Sequence, residues 1–90
     1  MTRLHAGRLP HRFLAVADDT PRTTRDLQDR AETVYGFLDH TPQAMSEATG
    51  RLARAGYLRI TGTRTGRGGH QPLHVITPEG RALLATLGEP

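Results

Sequence analysis

Between Gln43 and Arg67 the polar residues fall into two sets whose types and spacing suit the recognition of a polyanion. Gln43, Ser46, Glu47, Gly50, Arg51 and Arg54 recur at helical spacing and so share one face of a predicted helix. Glutamine matches the adenine edge, and the arginine fork matches guanine or a phosphate. Serine bonds a base or a phosphate, and glutamate accepts from cytosine while repelling phosphates. Arg64 and Arg67 form the second set, carried between Gly62, Gly66, Gly68 and Gly69. Glycine frees a backbone to follow a groove, and arginine gains from the negative potential of a narrow minor groove. Thr23, Thr24 and Arg25 stand at a predicted helix start, where backbone amides favour a phosphate. A solvated helix face, a surface hairpin and a helix cap would carry the same residue types.

Catalysis and metal binding lack a comparable constellation. There is no cysteine, hence no disulfide, thiolate site or cysteine nucleophile. His70 and His74 are four apart but fall on a predicted loop and strand, so the spacing does not join them on one helical face. His74 reads as a partly buried strand residue. No glycine-rich phosphate loop, nucleophile elbow or carboxylate pair of defined geometry is present. The expectation is a binding protein without cofactor or metal, and not an enzyme.

The elements that must position these residues follow from caps and periodicity. Pro10 suits a first helical position, and Phe13, Leu14 and Ala17 then share a face. Asp18-Asp19-Thr20-Pro21 breaks that helix. Thr23 or Thr24 caps a second, with Asp26 favourable to its dipole and Leu27, Ala31, Val34 and Leu38 as its apolar stripe. Gly36 leaves two readings open: one helix to about Leu38, or a shorter helix followed by a separate turn.

Thr41-Pro42 starts a third helix over 42–55, with Met45, Ala48, Leu52 and Ala55 facing inward, Thr49 beside them, and Gly56 ending it. Tyr57–Thr61 and Leu73–Thr77 are predicted strands, the first burying Leu58 and Ile60 on one face. The segment 62–71 between them is expected to be a mobile loop. Thr77-Pro78 starts the last helix, with Leu83, Leu84 and Leu87 on its apolar side. Residues 1–9 are expected to be poorly ordered.

The chain has 90 residues, which fits one small domain spanning 1–90, without internal repeat or linker. All of its 12 basic residues are arginine, a bias that codon usage in a GC-rich genome explains as readily as function. Their distribution is more informative. Residues 1–40 balance six arginines against six acids, whereas residues 41–77 set five arginines against Glu47 alone, a net of +4. A localised basic patch is the electrostatic footprint of a nucleic-acid binder. No apolar run approaches the roughly 18 residues of a membrane span, and no secretory leader is evident, so the expected location is cytoplasmic, with the nucleoid.

The run TPQAMSEATGRLARAGYLRITGTRTGRGGHQPLHVITPEGRALLATL resembles the winged helix-turn-helix transcription regulators of bacteria, especially the MarR and PadR groups. TPQAMSEATGRLARAGYL is similar to their recognition helix and the turn into the first wing strand. TRTGRGGHQP is similar to the wing tip, and HVITPEGRALL to the junction of strand and final helix. The resemblance covers about half the chain. It departs at Glu32–His40, which adds residues before the recognition helix, and the long terminal dimerisation helices of those families have no counterpart.

The resemblance implies an α+β winged helix-turn-helix domain with three helices, a two-stranded wing and a C-terminal helix. It implies a sequence-specific double-stranded DNA-binding regulator, in the first instance a repressor and a homodimer. Helix 42–55 would enter the major groove and wing 62–71 would lie on the adjacent minor groove or backbone. Thr24, Arg25, Gln43, Ser46, Glu47, Arg51, Arg54, Arg64 and Arg67 are then the candidate DNA contacts. Tyr35 and Phe37 would mark a dimer contact if exposed, and core if buried. A protein-interaction adaptor, or a DNA-binding accessory factor of a phage or plasmid, are the alternatives.

Overall fold

The computed structural model describes residues 8–66 and 69–90. Of the segment 1–9 expected to be poorly ordered, residues 1–7 lie outside the described residues, as does the role assigned to Arg67, whereas Leu9 is the first residue of a helix.

Helix α1 (Leu9–Val16) carries Pro10 in its first turn and buries Phe13, Leu14 and Val16. Helix α2 (Thr24–Tyr35) opens on a reciprocal capping box. The Asp26 N–H donates to Thr23 Oγ1 at 3.1 Å, and the Thr23 N–H donates to Asp26 Oδ2 at 3.0 Å. Thr23 is therefore the cap. The helix ends at Gly36, whose φ of 95° lies in the region that favours glycine.

That ending decides between the two readings of 32–40. Helix α2 is the shorter one, and the chain continues without helix to Thr41. Val34, expected in the apolar stripe, is 61% exposed, while Leu38 reaches the core from the non-helical segment. The positive φ at Gly36 turns the chain, so a stripe extrapolated along one helix loses its register there. The Leu38 N–H donates to Glu32 Oε2 at 3.2 Å, which satisfies the backbone after the turn.

Helix α3 (Pro42–Arg54) is capped by Thr41, whose Oγ1 accepts the Ala44 N–H at 3.1 Å. It buries Met45, Ala48, Thr49 and Leu52. After Gly56 at φ 84° the chain enters strand β1 (Leu58–Gly66), which pairs antiparallel with β2 (Gly69–Ile76). The ladder runs from Leu58↔Ile76 to Gly66↔Gly69, with an irregularity between Ile60 and Gly62.

The hairpin corrects two expectations. Residues 62–66 and 69–71 are paired strand rather than loop, with Arg64 opposite Gln71 and Thr65 opposite His70. Backbone pairing together with the β-branched Thr61, Thr63 and Thr65 outweighs the glycines. Ile60 is 52% exposed instead of buried with Leu58, because the ribbon leaves the body beyond its first residue. On the other side of β2, Arg22 makes an isolated bridge to His74, each backbone N–H donating to the other's carbonyl at 3.0 and 2.7 Å.

Helix α4 (Pro78–Leu87) is capped by Thr77, whose Oγ1 accepts the Gly80 N–H at 3.0 Å and lies 2.6 Å from the Gly56 carbonyl. Gly80 is buried against that turn. A Cβ there would collide with the Tyr57 carbonyl and come within 2.9 Å of Ile76 Cγ1. The core gathers Phe13, Leu14, Leu27, Met45 and Leu52 from the three first helices, closed by Leu58 and Ile76 at the base of the hairpin. Each such side chain contributes about 1.5–3 kcal/mol by leaving water.

Candidate nucleic-acid interface

Burial of Met45, Ala48 and Leu52 sets the rotation of α3, so Gln43, Ser46, Glu47, Arg51 and Arg54 all stand exposed on its outer side. Thr49 pins that rotation. Its hydroxyl lies 3.1 Å from the Ser46 carbonyl and 2.9 Å from Thr24 Oγ1. A hydroxyl has one proton, so Thr49 donates to its own helix and Thr24 donates to Thr49. The Thr24 side chain is thus committed to holding α2 against α3, and the phosphate contact expected of it is left to its backbone.

The outer face is internally engaged in part. Gln43 Nε2 donates to Glu47 Oε1 at 3.3 Å, one turn on, which gives the lone acid of this face a partner. A Cβ at Gly50 would lie 3.3 Å from Arg54 Nη1, so the Arg54 guanidinium folds back over that glycine. Arg51 extends from the same side as Glu47 and Arg54. Both arginines also sit in the last turn, where they complement the helix dipole.

Arg64 does not hang free at a loop tip. It lies on β1, and its Nη1 is 3.1 Å from Asp26 Oδ2 in the first turn of α2. Burial acts to raise the Asp26 pKa, but the Thr23 N–H, the Arg64 charge and the Thr23 hydroxyl outweigh it and hold the carboxyl below its ordinary 3.8. Arg25, exposed on the residue before Asp26, pairs with Asp29 at 3.3 Å along the helix.

Between the starts of α2 and α3 and the outer part of β2 runs a groove of about 420 Å³. Arg25 and Gln28 line it from α2, His40 and Ser46 from around α3, and His70 and Gln71 from β2. Three of the sequence candidates, Thr24, Arg25 and Ser46, therefore line one space, and Arg64 lies across the ladder from Gln71. Gln28, His40, His70 and Gln71 were not among the expected contacts. No spacing signal joins them, since His40 and His70 are 30 residues apart and meet only through the fold.

His74 behaves as the strand residue it was expected to be. It is 3% exposed, and its Nδ1–H donates to the Arg22 carbonyl at 3.3 Å. Burial lowers its pKa from 6.5, against the opposing pull of that backbone bond, so the ring is held neutral. Among the described residues no three His, Cys, Asp or Glu side chains cluster as metal ligands. No described helix is long and apolar enough to cross a membrane.

No family model matches the chain, and a search of curated proteins finds no match. The fold does have a relative in shape. It is similar to smu.1704 from Streptococcus mutans UA159, with a TM-score of 0.66 over 88% of this chain and 71% of that one. At 19% identity the likeness speaks to the fold alone.

Proposed function

We propose that this chain is a winged helix-turn-helix domain that binds double-stranded DNA as a small transcriptional regulator, repressing by occupancy of its site. In this reading α3 enters the major groove and the β1–β2 hairpin is the wing on the adjacent backbone. One observation carries it: the polar face of α3 and the polar side of the hairpin open onto the same groove, through Ser46 on one wall and Gln71 on the other. The net charge of +4 over residues 41–77 falls on those two elements. An α-helix fits the major groove, and residues of its first half reach base edges, which is where Gln43, Ser46 and Glu47 stand. The Arg22–His74 bridge supports the reading further, because it anchors the hairpin to the chain just before α2.

The regulator acts as a homodimer in the cytoplasm, on the nucleoid. Phe37 is 80% exposed and Val34 is 61% exposed, the largest apolar side chains left to solvent on the α2 side. Tyr35 is not part of that surface, since it packs on the core and its hydroxyl donates to Glu89 at 3.2 Å. The same exposed pair favours the second reading, a protein-interaction adaptor. Fold alone does not choose between them.

Selection of bound duplexes from a random pool tests the proposal. A recovered motif that changes when Gln43 or Arg51 is replaced by Ala supports base reading by α3. Recovery of no motif, with binding indifferent to salt, rejects the DNA reading and leaves the adaptor.

A further inference from the structure

We propose that the groove between α2, α3 and β2 is a phosphodiester seat, and that filling it takes up protons on His40 and His70. This rests on the reading of the chain as a DNA-binding protein and adds a site and a proton linkage to it. A duplex read by α3 must lay one strand between that helix and the hairpin, and the groove of about 420 Å³ lies there.

Its walls are suited to a phosphate. Arg25 supplies a positive charge, which it shares with Asp29, and Gln28, Ser46 and Gln71 supply neutral donors. Among the described residues no carboxylate lines it. The acids nearby are engaged or turned elsewhere: Asp26 with Thr23 and Arg64, Asp29 with Arg25, and Glu47 with Gln43, while Asp39 adjoins His40 in sequence but is not part of the wall. The side chains of Gln28, His40 and Ser46 have no hydrogen-bond partner among the described residues, so these groups are available to a ligand.

The two imidazoles come from different elements, His40 from the segment before α3 and His70 from β2, and both are exposed. Imidazole is the side chain whose ordinary titration falls between about pH 5 and pH 8. His70 Nδ1 lies 3.3 Å from Thr65 Oγ1. In its Nε2–H tautomer the neutral ring accepts there from Thr65. A second proton, taken from solvent onto Nδ1, reverses that bond, so that Nδ1–H is spent on Thr65 and the Nε2–H and the ring's positive charge are left for a ligand. A phosphate favours the charged ring, and by linkage the charged ring favours the phosphate. Binding should therefore tighten as the pH falls through the imidazole range.

The experiment is a titration of a labelled mixed-sequence duplex of about two turns at fixed ionic strength, at about pH 6 and about pH 8. We expect binding about tenfold tighter at the lower pH, reduced to about twofold in the double variant H40Q/H70Q. Arg64→Ala should weaken binding at both pH values without changing their ratio. Wild-type binding that ignores pH overturns the proton linkage and leaves the DNA reading standing. Failure to bind at any pH and low salt overturns both, and full pH dependence in the double variant removes it from these residues.

A thermal melt at both pH values checks that the variant folds. Should it not, imidazole NMR titrations of the wild-type protein decide, with and without the duplex. Unmoved His40 and His70 curves overturn the proposal. So does a response to inorganic phosphate alone as large as that to the duplex, which would mark a general anion site.

Discussion

The Arg64 guanidinium of the hairpin sits 3.1 Å from the Asp26 carboxylate, the same group that closes the first turn of α2. One side chain thus caps a helix and restrains the ribbon that projects beside it. It also offsets the positive charge that a phosphate would need, so a DNA strand reaching Arg64 must displace Asp26.

Replacing Asp26 by Asn should separate these roles. Loss of the charged cap is expected to lower stability by about 1 kcal/mol. Freed of its partner, Arg64 should bind duplex DNA more tightly, with a steeper salt dependence by about one unit. Chemical denaturation and affinity measured across salt check both. A variant that binds more weakly at matched folding would show that Asp26 positions Arg64 rather than restrains it.

Arg51 and Arg64 should differ in kind. Arg51→Ala removes a group on the outer face of α3 and should relax the selected sequence at one position, by about 1–3 kcal/mol of discrimination. Arg64→Ala should weaken all duplexes alike and flatten the salt slope by about one unit. Stability should change little, because the Arg64–Asp26 pair is half exposed. Identical behaviour of the two variants would count against distinct roles for helix and hairpin.

Stability should fall with acid in two stages. The folded state keeps His74 neutral by burial, lowering its pKa from 6.5. Above 6.5 neither state protonates it, and below 6.5 the unfolded chain binds the proton first, so stability declines as pH drops toward the folded value. Asp18, lowered from 3.8 by the hydrogen bond from Arg22 against opposing burial, and Asp26 act further down. Their contribution is present above 3.8 and is lost below it. Melting temperature followed from neutral to acid pH should show the first decline in the wild type and not in H74Q.

Gly80→Ala should be among the most damaging single substitutions. The added methyl meets the Tyr57 carbonyl and Ile76, a backbone group and a core side chain that cannot both move aside. A loss of about 1–3 kcal/mol is expected from overpacking. An unchanged melting temperature would mean that α4 can shift away from the hairpin base.

Phe37→Asp should lower self-association without loss of fold, since the ring is 80% exposed. Light scattering after size exclusion reads the change. A wild-type protein that is monomeric at high concentration would remove the homodimer from the proposed function and make the exposed Phe37 a site for another protein.

Much of the fold was legible in the residues alone. Thr41-Pro42 and Thr77-Pro78 start helices because the hydroxyl accepts an otherwise orphaned amide and the proline needs no partner there. Helical spacing correctly separated Met45, Ala48 and Leu52 from the exposed Gln43, Ser46, Glu47, Arg51 and Arg54, since those relations are local and repeat every turn. The base of the hairpin was also legible to within a residue, since strands expected to start at Tyr57 and end at Thr77 start at Leu58 and end at Ile76.

What failed or stayed open was decided by partners distant in the chain. Cross-strand pairing turned residues 62–66 and 69–71 of the glycine-rich segment into ladder, and departure from the body exposed Ile60 although it alternates with Leu58. The backbone turn at Gly36 sent Leu38 to the core by a non-helical route, and Thr49 claimed the Thr24 hydroxyl. The chain's local order thus determines helices, strands and the outward face of α3. Only tertiary packing brings Arg64 to Asp26, and His40 to the same groove as His70. Such pairings depend on where whole elements dock, and no periodicity along the sequence encodes that distance.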